Sequence, residues 1–231
     1  RKRGVPEGRG DMRVSGEGRK FLFLQGPHGP FFRRLGDMLK ASGAEVRRVG
    51  FNRGDRAFWP DEESFIPWRG TAADWPAEIA RLLAEGGYTD LVIYGDTRPI
   101  HAVAVTAARA RGVMVHVFEE GYLRPHWVTY ERGGSNGHSR LMSLSVAEMQ
   151  KALAVVDNDQ PDAPARWGDM RQHMFWGALY HWFVWAGFWD FQNYKPHREI
   201  TVWQEFLLHC KRLVLQPVHR WQRMAATFRI R

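Results

Sequence analysis

The sequence predicts an α/β fold, a Rossmann-like parallel sheet with helices on both faces. Four short apolar runs alternate with segments of helical periodicity: FLFL (21–24), AEVRRVGF (44–51), TDLVIYGD (89–96) and VMVHVFEEG (113–121). These runs are near-continuously apolar, the pattern of strands covered on both sides. Each also ends in a polar, charged or Gly-rich loop: QGPHGP, FNRGDRAFW, GDTRPIH and EEGYLRP. In a parallel sheet all four loops gather on the carboxyl edge, where ligands of such folds bind.

The elements follow in order. Residues 1–19 are Arg- and Gly-rich with almost no apolar side chains, and read as a disordered basic tail. Strand 21–24 runs into a Gly-Pro loop. Phe32, Leu35, Met38 and Leu39 then recur at helical spacing, and Ser42-Gly43 closes that helix. A strand at 44–51 is followed by a helix at 73–87, with Asp74 as N-cap, Pro76 in the first turn and Gly86-Gly87 after the end. The strand at 89–96, an Ala-rich helix at 98–112 and the strand at 113–121 complete the alternation. Beyond residue 125 come a short strand, a Gly-rich loop and a helix at 145–156. A linker at 157–166 leads to a long aromatic helix at 166–191 and a final helix at 200–226. The chain thus divides into a tail (1–19), an α/β domain (20–144) and a helical region (145–231).

Composition narrows the chemistry. The chain has 231 residues, 44% hydrophobic and 25% charged, with 11 Trp and 14 Phe. That suits a globular protein with a sizeable core. A net charge of +8 favours anionic partners: phosphorylated substrates, nucleic acid or an acidic membrane face. Nucleic acid has no supporting helix-turn-helix, zinc finger or aromatic RNA-binding motif. The single Cys210 excludes an internal disulfide framework. No run of 18 apolar residues predicts a membrane-spanning helix, and residues 1–20 do not read as a signal peptide. His138, His173, His181, His197, His209 and His219 show no metal-ligand spacing, so no metal site is expected.

At each strand-end loop a functional reading stands beside a bland one. Gln25, Gly26, His28 and Gly29 either admit an anion to a helix N-terminus or form an ordinary strand-to-helix turn with a solvated histidine. Asn52, Arg53, Asp55 and Arg56 either bind hydroxyls and phosphates or form a surface loop anchored by Phe58 and Trp59. Asp96 or Thr97 can cap the helix after Pro99, with His101 close by. Arg98 near that N-terminus is disfavoured by the helix dipole, so an anionic ligand or a carboxylate partner is expected for it. Glu119 and Glu120 are the sharpest feature. Adjacent carboxylates in a cleft tend to raise one pKa toward the range of a general base. Strand alternation points them different ways, so that one does chemistry while the other pairs with Arg98 or Arg124. The bland reading is a charged strand end held by an arginine. The aromatic helix is either a membrane-surface segment or a face packed on another domain.

FLFLQGPHGPFFRRL, FNRGDRAFW, GDTRPIHAVA and HVFEEGYLRPHWVTYERGGSNGHS together resemble the capsule polysaccharide biosynthesis/export family of Gram-negative bacteria. The resemblance covers roughly residues 20–230. It implies an inverting β-Kdo glycosyltransferase of GT-B-like architecture, moving Kdo from CMP-Kdo to a lyso-phosphatidylglycerol acceptor, with no further cofactor. An acidic pair followed by Gly supplies the base in related enzymes. That motif falls on Glu119, Glu120 and Gly121, with Glu119 the first choice. The candidate binding residues on the four strand-end loops are Gln25, Gly26, His28, Gly29, Asn52, Asp55, Asp96, Arg98, His101, Gly121, Tyr122 and Arg124. The CMP-binding half of the family is expected outside this chain. The implied setting is cytoplasmic, peripheral on the inner face of the inner membrane, beside a second Kdo transferase and the capsule exporter. A non-catalytic accessory of the same machinery is the competing reading.

Overall fold

The computed structural model describes residues 15–121, 127–155, 170–195 and 201–230. Six strands form one sheet in the order β3-β2-β1-β4-β5-β6. They are β1 (Lys20–Phe23), β2 (Glu45–Gly50), β3 (Phe65–Pro67), β4 (Asp90–Tyr94), β5 (Met114–Glu120) and β6 (Val128–Arg132). The first five are parallel, and β6 closes the edge antiparallel to β5, with Glu120 opposite Val128. The helices are α1 (Phe31–Ala41), α2 (Arg53–Ala57), α3 (Trp75–Glu85), α4 (Pro99–Arg109), α5 (Val146–Leu153), α6 (Met170–Ala186) and α7 (Val202–Ile230).

Alternation along the strands splits the core in two. Leu22, Leu24, Leu91 and Ile93 face α3 and α4, where Ile79, Leu83, Ala104 and Ala108 complete one layer. Phe21, Phe23 and Val92 face the other side, against Phe32 of α1 and Trp59. Each fully buried Leu, Ile or Phe contributes roughly 1.5–3 kcal/mol, and both faces of the sheet are supplied. That is why the central strands β1 and β4 are almost wholly apolar.

The structure departs from expectation in four places. Residues 15–19 belong to the fold and not to the basic tail; 1–14 lie outside the described residues. The Gly16 N–H donates to the Ser42 carbonyl (2.7 Å), and the Arg19 guanidinium pairs with Asp90 (2.5 Å). Asp74 does not cap α3 with its side chain, because its carboxylate accepts from the Thr71 hydroxyl (2.6 Å) and N–H (3.1 Å). The loop after β2 contains α2, capped by Asn52, and the short strand β3. The aromatic helix is shorter than its pattern, ending at Ala186 before a turn that brings Phe191 into the core.

The helix α6 is bound to the sheet through α2. Gly54 lets Tyr180 and Val184 lie against the α2 backbone, where any Cβ would collide with them. Beneath that contact Asp55 is fully buried. It pairs with buried Arg48 (3.0 Å), accepts from the Phe51 N–H (3.0 Å) and from the Tyr180 hydroxyl (3.2 Å), while Asn52 donates to the same hydroxyl (2.8 Å). Burial pushes the Asp55 carboxyl above its ordinary value, against the pull of Arg48 and its hydrogen bonds. Burial also raises the Tyr180 phenol far enough to keep its donor proton. A second tie joins Arg69 to Asp190 through two N–H donors (2.7 and 3.0 Å).

Removing one member of a buried ion pair strands the other charge. Arg48→Met should therefore lower the unfolding free energy by about 3–5 kcal/mol, measured by urea denaturation. A loss below about 1 kcal/mol, the scale of an exposed pair, would show that the pair does not carry this contact.

Candidate functional site

The strand order places the topological switch point between β1 and β4, since the chain leaves β1 for α1 on one face and β4 for α4 on the other. Ligands of open α/β sheets bind at that crevice. Two sequence-predicted residues meet there: the Arg98 guanidinium donates to the Gln25 side-chain carbonyl (3.4 Å). The Gln25 amide in turn donates to the hydroxyls of Tyr180 (3.0 Å) and Tyr194 (3.4 Å). Arg98 is the N-cap residue of α4 and caps nothing with its side chain. Gln25 is a neutral partner, so the guanidinium keeps its charge uncancelled by that contact on the floor of the crevice.

A cavity of about 200 Å³ opens above Gln25 and Arg98, roofed by α6 and α7. Four histidines surround it. The rings of His28 and His173 are 4.5 Å apart, those of His181 and His209 are stacked at 5.3 Å, and His28 lies 6.2 Å from His209. Glu205 accepts from or pairs with His181 Nε2 (3.2 Å), and Arg212 adds a second guanidinium to the wall. Gly177 makes the array possible, because any side chain there would meet the His209 ring. The His209 Nδ1 is buried with no hydrogen-bond partner among the described residues. Burial, then the neighbouring His181 and Arg212, lower the His209 pKa to about 4. At neutral pH this ring is uncharged, and on the cavity wall the guanidinium groups of Arg98 and Arg212 stand with the carboxylates of Glu120 and Glu205.

The two glutamates part company, as strand alternation requires. Glu120 lines the histidine cavity. Glu119 turns the other way and accepts from the Ser135 hydroxyl (3.0 Å) and the Asn136 amide (2.5 Å). Asp96 is drawn to the same loop. It is buried, accepting from the Ser135 N–H (3.0 Å) and contacting His138 Nδ1 (3.1 Å). It therefore holds the 133–139 loop over the ends of β4 and β5 and does not cap α4.

Several predicted binding residues lie beneath the crevice. Asn52 and Asp55 are 1% and 0% exposed and form the floor network with Tyr180. His101 is also fully buried, its Nδ1 2.6 Å from the Gly95 carbonyl, where it braces the turn between β4 and α4. Gly26 makes room for the Phe32 ring, and Gly29 takes a positive φ of 102°. Gly121 admits the backbone of Trp127, whose carbonyl accepts its N–H (3.0 Å). Tyr122 and Arg124 lie outside the described residues. Among the described residues no group of three or more His, Cys, Asp or Glu side chains is placed to hold a metal ion.

The residues that sequence reasoning missed come from α6, the turn after it and α7: His173, Tyr180, His181, Tyr194, His209 and Arg212. One signal for them existed. Glu205, His209 and Arg212 fall at i, i+4 and i+7, a single helix face. The depressed His209 pKa has a sign that can be checked. Between its ordinary value of 6.5 and about 4 the unfolded chain binds the proton and the folded one does not. Stability from this group is full above pH 6.5 and falls as the pH drops toward 4. Thermal melts across that window should decline, and His209→Gln should flatten the decline; an unchanged slope would contradict the buried neutral ring.

With this geometry in place, the comparisons with known proteins are informative. A family described as "Capsule polysaccharide biosynthesis protein" matches residues 89–228, from the start of β4 to the last turns of α7. The capsule polysaccharide export protein KpsS of Escherichia coli is 32% identical over 193 residues, 81% of this chain and 47% of its own length. The capsule polysaccharide modification protein LipB of Neisseria meningitidis, serogroups A and B, is 36% identical over 121 residues, 52% of this chain and 29% of its own. The chain thus spans about half the length of KpsS and less of LipB. The family match covers more than half of the chain, with the switch-point loops after β4 and β5 inside it, and the chain belongs to the capsule polysaccharide biosynthesis protein family.

Proposed function

We propose that this chain is the acceptor-side half of a glycosyltransferase that moves Kdo from CMP-Kdo to a lyso-phosphatidylglycerol acceptor during capsule linker biosynthesis. The observation that carries the proposal is the placing of one carboxylate, Glu120, on the cavity that also holds Arg98 and Arg212. A transferase must take a proton from the acceptor hydroxyl as the new bond forms, and a carboxylate at the cleft does this. Arginines beside it suit an anionic substrate, either the acceptor phosphate or the sugar carboxylate. The family resemblance ranks Glu119 first as base. The geometry favours Glu120, because it lies on the cavity beside Arg98 and Arg212 while Glu119 turns to Ser135 and Asn136 on the other side of the strand. Glu119 and Asp96 then act as positioning residues for the loop at 133–139. An inverting course requires direct displacement of CMP by the acceptor oxygen, and the anomeric configuration of the product tests that step.

Exposed aromatic side chains on α6, the turn after it and α7 support a peripheral membrane location. Trp182, Trp185, Phe188, Trp189, Trp203 and Trp221 are all at least 41% exposed, and the chain carries a net charge of +8. Aromatic side chains beside basic ones suit an anionic headgroup boundary. No helix among the described residues is long and apolar enough to cross a membrane. An accessory role in the capsule assembly machinery, without catalysis, is the second reading this face favours.

In the full-length protein, Glu120→Gln should reduce transfer from CMP-Kdo to a fluorescent lyso-phosphatidylglycerol by about a hundredfold or more, the scale of a lost general base, with an unchanged melting temperature. Glu119→Gln should lower the melting temperature and leave more activity than Glu120→Gln. The reverse ranking of activities would place the base on Glu119, and a wild type with no transfer would favour the accessory role. Vesicles containing phosphatidylglycerol should co-sediment the protein. A Trp185→Ser, Trp189→Ser pair should weaken that binding severalfold if the aromatic face is the contact, and equal binding would reject it.

A further inference from the structure

The sheet ends differently at its two edges. At one, β3 is three residues long and closes on Pro67, which has no N–H to offer a neighbour. At the other, β6 runs for five residues, about 17 Å of strand. The register fixes which of its backbone groups are free. The Gly121 N–H donates to the Trp127 carbonyl (3.0 Å) and the Gly133 N–H to the Val115 carbonyl (2.8 Å), so alternate residues from Trp127 to Gly133 turn to β5. The N–H and carbonyl groups of Val128, Tyr130 and Arg132 therefore turn outward, and among the described residues they meet no further strand. An open groove of about 820 Å³ runs along this edge, with Thr129, Tyr130, Glu131 and Arg132 on one wall and the 136–144 loop on the other.

The walls of the groove define its occupant. The Ser139 hydroxyl donates to the Glu131 carboxylate, which holds the loop on the Glu131 face of the strand. That loop presents Leu141 and Met142, 56% and 71% exposed, so side chains pointing to this face meet carbon. Arg132 stands on the opposite face with Tyr130 and Val128. Arg140 also lines the groove, and its guanidinium has no partner among the described residues. Glu131, the one carboxylate on the lining, is already bonded to Ser139. A second copy of β6 would bring its own Arg132 and Arg140 to these, on a chain of net charge +8, and like charges across a strand pair are destabilising. We propose that β6 receives an extended acidic segment of a partner protein as a further strand of the sheet. The backbone of that segment takes up the outward groups of Val128, Tyr130 and Arg132. Its apolar side chains rest on Leu141 and Met142, and the acidic ones between them meet Arg132, with Arg140 as a second guanidinium in the groove. In strand addition of this kind the main-chain ladder supplies affinity and the alternate side chains supply selectivity. An open edge with no such selectivity pairs with any strand it meets. The proposal does not rest on the transferase reading.

The test uses the full-length protein and short synthetic peptides with blocked ends, one alternating Glu and Val and one alternating Lys and Val. The Glu peptide should bind and should slow hydrogen exchange at the amides of Val128, Tyr130 and Arg132, which exchange freely without it. N-methylation of its Glu residues, or of its Val residues, puts the methyl groups on opposite edges of the peptide strand. One of these two peptides should lose at least about tenfold in affinity, the scale of two or three hydrogen bonds, and the other should keep it. Val128→Pro removes one outward N–H and leaves the β5–β6 ladder intact, and should weaken binding severalfold. Arg140→Glu should lower the affinity for the Glu peptide and raise that for the Lys peptide. The N-methylated peptides are read on the wild type, so the result does not depend on either variant folding. Equal affinity for the Glu and Lys peptides would overturn the proposal, as would no binding of either. So would binding that both N-methylated peptides retain, since the ladder would then play no part. Protection of the three amides in the protein without peptide would overturn it too, because the edge would already be covered by the protein's own chain.

Discussion

The buried Asp55 carboxylate is the constraint on which the site depends. It sits under the crevice with Arg48 as counter-charge, and it accepts from the Phe51 N–H, fixing the chain as it leaves β2. Through the Tyr180 hydroxyl it also fixes α6, and through Gln25 it reaches the switch point. A lone buried carboxylate would be too costly to keep. Four neighbouring groups make it tolerable: Arg48 and the Phe51 N–H at the end of β2, Gln25 after β1 and Tyr180 of α6, which must be in place at once. The helical region is thereby registered against the α/β domain, so that His173, His181, His209 and Arg212 come to face His28 and Arg98.

How much of this was legible in the sequence follows from how local each feature is. The central strands β1 and β4 declare themselves because strands buried on both faces are apolar along most of their length, and β2 and β5 keep enough of that apolar run to be read with them. The elements α2 and β3 do not, since five residues (RGDRA) and three (FIP) are too short for any period to show. The convergence of four loops was readable from strand order alone, and Gln25, Arg98 and Glu120 do meet there. The depth of each side chain was not. Asn52, Asp55, His101 and Asp96 look like ligand-binding residues because they are polar and follow strands; the structure spends them on holding loops together. The histidine array is a product of α6 packing on α7, a contact more than 25 residues apart for the pair His181 and His209, so only the helix-face spacing of Glu205, His209 and Arg212 hints at it.

Divergence of the two glutamates gives the crevice its chemical asymmetry. The side of β5 that carries Glu119 is occupied by protein hydrogen bonds from Ser135 and Asn136. The side that carries Glu120 meets a cavity walled by histidines and two arginines, adjoining a second cavity with aromatic walls. The chain belongs to a capsule polysaccharide biosynthesis family and spans about half the length of KpsS.

The measurement that tests this account most directly is a structure of the full-length protein with the lysolipid acceptor bound beside a non-transferable CMP-Kdo analogue. The account predicts an acceptor hydroxyl within about 3.2 Å of the Glu120 carboxylate, its phosphate on the Arg98 side of the crevice. An acceptor bound instead against Glu119, Ser135 and Asn136, with the histidine cavity empty, would contradict it.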